Sequence, residues 1–408
     1  MRCGLLGRKL GHSYSPQIHR QLADYDYKLY EIEPEALEDF LQKEEFSGLN
    51  VTIPYKKAVI PFCSQLTDRA KKLGAVNTIV RRKDGGLIGH NTDYYGFEAI
   101  VKRSGLRLEG KKVLVLGSGG ASATAVAVLT DLGSQPVIIS RNGADNYTNI
   151  DRHYDAAAIV NATPVGMYPN TDEAPLDLTP FTKLQGVLDL IYNPANTALL
   201  QQAQQRNLVA ENGLYMLVAQ AKESAQWFTG TPISDEIIPV IHKQLSSQMQ
   251  NIILIGMPGS GKSTVGARLA ERLGRSFVDA DAEIVKTAGR SIPDIFAQTG
   301  EAGFRAIESS VLSKLGKQSG LVIATGGGCV TKAENYKYLH QNGIIIWLQR
   351  EIDSLPTEGR PLSQSGNLHQ MYQKRKALYE AFSDIAVSNN QPADDTVQAI
   401  ISHISKED

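Results

Sequence analysis

Cysteine is scarce in this chain of 408 residues: Cys3, Cys63 and Cys329 are the whole complement. Their number is odd and they lie far apart, so neither a disulfide framework nor a zinc knuckle is indicated, and a reducing, cytoplasmic setting fits. Neither sign of charge is in excess. Lys and Arg number 42 against 43 Asp and Glu, a formal net charge of -1, which provides no basic field for nucleic acid or an anionic membrane. The expected partners are therefore small molecules or other proteins. No apolar run approaches the roughly 18 to 20 residues that a membrane helix needs, and residues 1–7 turn to charge and glycine too soon for a signal peptide. Internal repeats and low-complexity tracts are also missing.

What is present is the composition of a globular protein, 42% hydrophobic and 21% charged, with a length that calls for two or three domains. One stretch stands out. Gly256-Met257-Pro258-Gly259-Ser260-Gly261-Lys262-Ser263 follows the apolar run 251–255 and precedes the helix-like 264–270. That is a complete G-x-x-x-x-G-K-S in its strand, loop and helix context, which predicts a nucleoside triphosphate site. Glycines 256, 259 and 261 let backbone N–H groups turn toward phosphates, with Ser260 and Thr264 beside them. Lys262 reaches the outer phosphates and Ser263 can ligate Mg2+.

A second phosphate-binding pattern lies upstream. The apolar strand 111–117 runs into Gly117-Ser118-Gly119-Gly120-Ala121-Ser122, then a helix at 123–132, then a strand at 136–140. This is a βαβ unit with a dinucleotide loop, departing from G-x-G-x-x-G in having Ser122 at the third position. The second strand ends in Ser140-Arg141-Asn142 without the acidic residue that holds an unphosphorylated ribose. Arg141 offers a bidentate partner for a 2'-phosphate, favouring NADP over NAD. Beyond residue 250, short strands at 276–278, 321–324, 344–348 and 385–387 alternate with helical stretches, predicting a second parallel α/β sheet covered on both faces. Helical periodicity over 234–245 gives way to polar Ser246-Ser247-Gln248-Met249-Gln250, read as a linker.

Further motifs follow in order: His12-Ser13-Tyr14-Ser15-Pro16, Gly48-Leu49-Asn50-Val51-Thr52-Ile53-Pro54-Tyr55-Lys56, Ala75-Val76-Asn77-Thr78, Asn91-Thr92-Asp93, Asn161-Ala162-Thr163-Pro164-Val165-Gly166-Met167 and Gly213-Leu214-Tyr215-Met216-Leu217-Val218-Ala219-Gln220. With them, residues 1–245 resemble shikimate dehydrogenase. The resemblance implies an α/β substrate domain at 1–95 plus 213–245 and a Rossmann-like NADP domain at 96–212. It places Lys56 and Asp93 on the family's catalytic pair, and Ser13, Ser15, Thr52, Asn77 and Gln220 beside the substrate. Gly117, Gly119, Gly120, Ala121, Arg141, Asn161, Thr163 and Gly213 fall on the cofactor side. Lys56 would donate the proton when a ring ketone is reduced, with Asp93 orienting it. Ser13 and Ser15 also suit a turn before Pro16, and Asn77 and Gln220 could be core amides.

From 251 to 408 the chain resembles shikimate kinase, a P-loop α/β domain with a central parallel sheet. Phe277-Val278-Asp279-Ala280-Asp281, Gly300-Glu301-Ala302-Gly303-Phe304-Arg305-Ala306-Ile307-Glu308, Thr325-Gly326-Gly327-Gly328, Gly359-Arg360-Pro361-Leu362 and Arg375-Lys376-Ala377-Leu378-Tyr379 carry the likeness. It implies that Asp281 meets ring hydroxyls and orients or deprotonates the attacking one. Arg305 and Arg375 would take the carboxylate, Gly327 and Gly328 would allow close approach of the ring, Asp279 would hold Mg2+ through water, and Arg360 would be a lid cation. Asp279 and Asp281 are also placed to cap a helix, and Arg305 with Glu308 has the spacing of a solvated helical pair. Together the two likenesses imply a bifunctional enzyme of chorismate and aromatic amino-acid biosynthesis. It would reduce 3-dehydroshikimate to shikimate with NADPH, then phosphorylate shikimate with ATP. The alternatives are a reductase half acting on quinate or a related hydroxy acid, or one half serving as a non-catalytic regulatory module.

Overall fold

The computed structural model describes residues 1–11, 13–355 and 368–405, so Arg360 lies outside the described residues. The first of its three sheets is mixed, built from β1 (Arg2–Gly7), β2 (Asp26–Glu31), β3 (Gly48–Val51), β4 (Gln65–Leu66), β5 (Thr78–Arg81) and β6 (Leu87–His90), in the order β2-β1-β3-β5-β6-β4. β2, β1 and β3 run parallel, while β5 is antiparallel to both β3 and β6. The β5–β6 register pairs Thr78 with His90. Asn77 is thereby set beside the Asn91-Thr92-Asp93 segment that follows β6.

The second sheet contains β7 (Lys112–Leu116), β8 (Gln135–Ile139), β9 (Ala158–Asn161), β10 (Gly186–Asp189) and β11 (Val209–Glu211), ordered β11-β10-β9-β7-β8 and parallel throughout. Successive side chains on a strand point to opposite faces, and β7 has no polar residue after Lys112. Val113 and Val115 therefore enter one core with Phe97, Ile100 and Val128, while Leu114 and Leu116 enter another with Ile159, Phe181 and Leu199. Each such side chain, fully buried, contributes about 1.5 to 3 kcal/mol. Both faces are consequently covered, and the loop after β7 emerges where the strand order reverses between β8 and β9, the usual ligand crevice of such sheets.

The third sheet repeats this logic with β12 (Asn251–Ile255), β13 (Ser276–Asp279), β14 (Leu321–Ala324), β15 (Gly343–Gln349) and β16 (Ile385–Ser388), ordered β13-β14-β12-β15-β16 and parallel throughout. Ile253 and Ile255 of β12 pack with Leu312 and Trp347 on one side, and Ile252 and Leu254 pack with Leu269 and Ile400 on the other. The expected strands at 276–278, 321–324, 344–348 and 385–387 are all found, within one residue at either end.

The segment read as a linker differs. Residues 246–249 are the last turn of the helix Ile237–Met249, leaving only Gln250 before β12. Ile238, Ile241, Leu245 and Met249 are buried at three- and four-residue spacing, so the polar residues between them are the outer face of a continuing helix. The chain forms two compact units, 1–167 with 172–192 and 199–244, and 168–171 with 193–198 and 245–408. No helix among the described residues is long and apolar enough to cross a membrane.

Helix Asp93–Ser104 packs against helix Leu214–Thr229, and Gly96 permits the approach, since a Cβ there would lie 2.7 Å from the Met216 carbonyl oxygen. One turn after Asp93, Phe97 is fully buried. Truncation to alanine should cost about 3 to 5 kcal/mol. We expect F97A to unfold at lower urea than the parent, and an unchanged midpoint would show that this core does not hold the helix.

Candidate active sites

A cavity of about 380 Å3 in the first unit gathers every residue assigned to the substrate side: Ser13, Ser15, Thr52, Lys56, Asn77, Asp93 and Gln220. Ala121 and Gly213 of the cofactor set line it too, with Asn50 and Tyr192, which had not been singled out. Lys56 Nζ lies 2.6 Å from Asp93 Oδ2, with the two side chains 31% and 16% exposed. This is no free surface pair, because both charges sit in the cavity wall. Asp93 opens helix Asp93–Ser104, where the helix dipole favours a carboxylate. The Lys56 backbone is fixed by its carbonyl, which accepts the Val76 N–H at 2.7 Å, immediately before Asn77.

Asn77 is buried, and it is both a core amide and a cavity residue. Its Oδ1 accepts the Thr92 N–H at 2.6 Å and the Thr78 hydroxyl at 3.2 Å, and its Nδ2 donates to Thr92 Oγ1 at 3.0 Å. With the oxygen taken, the group it can offer the cavity is its second amide hydrogen. Ser224 ties this network to the next helix. Its Oγ accepts from Asn50 Nδ2 at 2.7 Å, lies 3.0 Å from both Thr78 and Thr92 hydroxyls, and donates to the Gln220 carbonyl at 2.9 Å. Its place four residues after Gln220, on the same helix face, was the signal for it. Ser13 does make the expected turn, its Oγ accepting the Ser15 N–H at 3.2 Å.

On the cofactor side the loop after β7 reaches helix Gly120–Asp131, which starts without a side-chain cap. Ser122, the departure from the glycine pattern, donates to the Gly117 carbonyl at 2.7 Å and stabilises the turn. A Cβ at Gly119 or Gly120 would meet nothing within 4 Å. An open glycine face at an uncapped helix start fits a pyrophosphate. Arg141, exposed just past β8 with no side-chain partner among the described residues, fits an additional phosphate. Asn161 is fully buried and serves the loop itself. Its Oδ1 accepts the Thr163 N–H and hydroxyl at 3.1 and 2.7 Å, and its Nδ2 donates to Asp189 at 3.0 Å. Gly213 abuts the Leu190 carbonyl, leaving no room for a side chain.

In the second unit, Gly256, Gly259 and Gly261 have φ of +146°, +84° and +92°, the region other residues avoid. Lys262, buried, donates to the Gly256 and Met257 carbonyls at 3.0 and 2.9 Å. Ser263 Oγ donates to Asp279 Oδ2 at 2.6 Å, and Asp279 Oδ1 accepts the Asp281 N–H at 3.0 Å. Asp279 thus caps helix Ala280–Ala288 with one oxygen and faces Ser263 with the other. A hydroxyl beside a carboxylate is the hard oxygen donor set that suits Mg2+. Asn389 had not been singled out. Its Nδ2 donates to the Ser260 carbonyl at 2.6 Å while its Oδ1 accepts from Thr396 at 2.7 Å, bracing the phosphate loop from the turn after β16. Only the polar Asn389-Asn390-Gln391-Pro392 turn marked it in the sequence.

Around Gly326 the charges are buried. Arg305 donates through Nη1 to Glu308 at 2.7 Å and through Nη2 to Glu301 at 3.2 Å. Glu308 is wholly inaccessible, so the solvated helical pair is not what forms. A Cβ on Gly326 would lie 2.7 Å from Glu308 Oε1 and 3.0 Å from Asp281 Oδ1, and neither oxygen has a hydrogen-bond partner among the described residues. Burial raises the pKa of both carboxyls; Asp279 pushes Asp281 further, while Arg305 pulls Glu308 back. Burial depresses the Arg305 guanidinium, but Glu308 and Glu301 more than restore it. Arg375 Nη1 and Tyr379 Oη both donate to the Gly327 carbonyl, at 3.2 and 2.5 Å. The glycines at 327 and 328 are required by protein atoms: a Cβ on Gly327 would stand 2.6 Å from Pro258, and one on Gly328 would strike Arg305.

Residues 5–79 match the family model for the shikimate dehydrogenase substrate binding domain, and residues 258–405 match that for shikimate kinase. The chain is 37% identical over 238 residues to shikimate dehydrogenase (NADP(+)) of Clostridium beijerinckii, covering 53% of this chain and 88% of that one. It is similar to the crystal structure of shikimate dehydrogenase 1 from Peptoclostridium difficile, with 34% identity, a TM-score of 0.55, and coverage of 60% of this chain and 97% of that one. The corresponding figures for shikimate 5-dehydrogenase from Thermus thermophilus in complex with NADP(H) and shikimate are 28%, 0.55, 60% and 99%.

The raised Asp281 pKa has a stability consequence. A carboxyl with a raised folded-state pKa destabilises the fold once ionised and ceases to do so when pH falls below its unfolded value. D281N should therefore melt higher than the parent at about pH 8, with the gap closing toward about pH 4, near the ordinary Asp value. Calorimetric melts at both pH values check this, and a gap independent of pH would mean that charge burial is not the cause.

Proposed function

The chain belongs to the shikimate dehydrogenase family and carries a shikimate kinase domain behind it, and from that premise we propose that it reduces 3-dehydroshikimate with NADPH and phosphorylates the resulting shikimate with ATP. The observation that carries the reading is the convergence of all seven substrate-side residues on one cavity around the 2.6 Å Lys56–Asp93 pair. When bound, NADPH supplies a hydride, and ATP with Mg2+ supplies a transferable phosphoryl group. Lys56 holds the proton at Nζ and passes it to the oxygen that becomes the new hydroxyl. Asp93 keeps Nζ aimed into the cavity and takes a neighbouring hydroxyl, while Asn77 donates its remaining amide hydrogen. Partial exposure lets Lys56 recover a proton from water.

In the kinase half, Arg305 and Arg375 hold the substrate carboxylate through planar guanidinium forks. Asp281 presents its unpartnered Oδ1 to the attacking hydroxyl, and its raised pKa suits proton acceptance. Ser263 and Asp279 would hold Mg2+, and Lys262 would turn from the loop carbonyls to the phosphates. In this reading 1–95 with 213–245 bind the acid, 96–212 bind NADP, and 251–408 form the kinase. The product of the first site is the substrate of the second. Three free cysteines accord with a cytoplasmic enzyme.

A coupled assay tests the reading. Purified chain given 3-dehydroshikimate, NADPH, ATP and Mg2+ should oxidise NADPH and yield phosphorylated acid by mass detection. Oxidation of NADPH in the presence of a quinate-series ketoacid alone would reassign the reductase half. K56A should lose about 100-fold or more of reductase turnover with kinase turnover intact, whereas K262A should do the reverse. Full reductase activity in K56A would remove the proton-donor role.

A further inference from the structure

The geometry points to Arg350 as a further nucleotide-binding residue of the kinase half, a guanidinium placed to contact the phosphate chain of ATP. The inference rests on the kinase reading above and deepens it. Arg350 follows β15 directly and is half-buried. Its Nη1 lies 3.9 Å from where a Cβ on Gly261 would stand. Gly261 is the phosphate-loop glycine before Lys262, and it starts helix Lys262–Leu273 without a side-chain cap.

Two features make the placement informative. The first is that Arg350 has no hydrogen-bond or ion-pair partner among the described residues, although the groups around it are engaged. The Gln349 carbonyl accepts the Asn389 N–H at 2.7 Å, the Glu351 N–H donates to Asn390 Oδ1 at 2.9 Å, and Asn389 Nδ2 is spent on the Ser260 carbonyl. Glu351, the adjacent acid, faces Asn390 Nδ2 at 3.4 Å.

The second is electrostatic. A helix start carries partial positive charge, and Lys262 adds a full one in the same loop. A guanidinium held there unpaired is repelled by both unless a polyanion is shared among the three. Arginine's fork then gives two parallel bonds to phosphate oxygens, where lysine gives a point charge. Its neighbour is a loop glycine whose backbone faces phosphates, which favours the phosphate chain over the base.

The test compares parent, R350A and R350K in the full chain. Kinase turnover is measured against ATP at saturating shikimate, with calorimetric titrations of ADP and adenosine. R350A should raise KM for ATP and Kd for ADP about tenfold, as loss of a charge-assisted pair does, with KM for shikimate and adenosine binding unchanged, and R350K should recover part of the loss. A KM for ATP within about twofold of the parent's would overturn the assignment, as would an equal loss toward adenosine, which would place Arg350 on the base. A parent chain without any kinase turnover would instead sink the reading of the site, and this inference with it.

Discussion

Burial on both faces is the constraint from which the two parallel sheets and their sites follow. β7 and β12 have apolar side chains on alternating sides, and helices must cover each side. Polar chemistry is thereby driven to the strand ends. The dinucleotide loop leaves β7, the triphosphate loop leaves β12, and Asp279 and the glycine run close β13 and β14. The first sheet reaches the same outcome differently, since the antiparallel β5–β6 register brings Asn77 to Thr92 and so sets the start of the helix carrying Asp93.

The two sites handle charge in opposite ways. In the first, Lys56 and Asp93 neutralise each other at the cavity wall, and the surrounding amides and hydroxyls are bonded to one another. In the second, Asp281 and Glu308 hold free oxygens in a buried space, at a cost to the fold that their raised pKa values record. A partly exposed ion pair can exchange protons with water. Buried carboxylate oxygens without a partner among the described residues are left with their hydrogen-bonding capacity unmet.

Much of this was legible in the residues. Central strands announced themselves because fully buried strands read as continuous apolar runs, and the phosphate loops because glycine is needed where φ turns positive. The linker was misread because Ser246, Ser247 and Gln248 are polar, yet the pattern Ile238, Ile241, Leu245 and Met249 continues beneath them. Asn389 escaped notice because it acts on Ser260, a partner distant in sequence, and no local spacing encodes such a meeting. Ser224 left only its four-residue offset from Gln220 as a sign. Glu308 looked like a surface partner for Arg305, since spacing alone does not say which side of a helix faces the core.

Gly327 occupies a particular place in the kinase half. Its carbonyl accepts from Arg375 and Tyr379, and a Cβ on it would run into Pro258 of the phosphate loop. A single residue thus links the phosphate loop to the helix that carries Arg375 and Tyr379. If shikimate and ATP bind on either side of it, as proposed, reciprocity of linkage requires that any stiffening of this residue by one guest be felt to the same degree when the other arrives first.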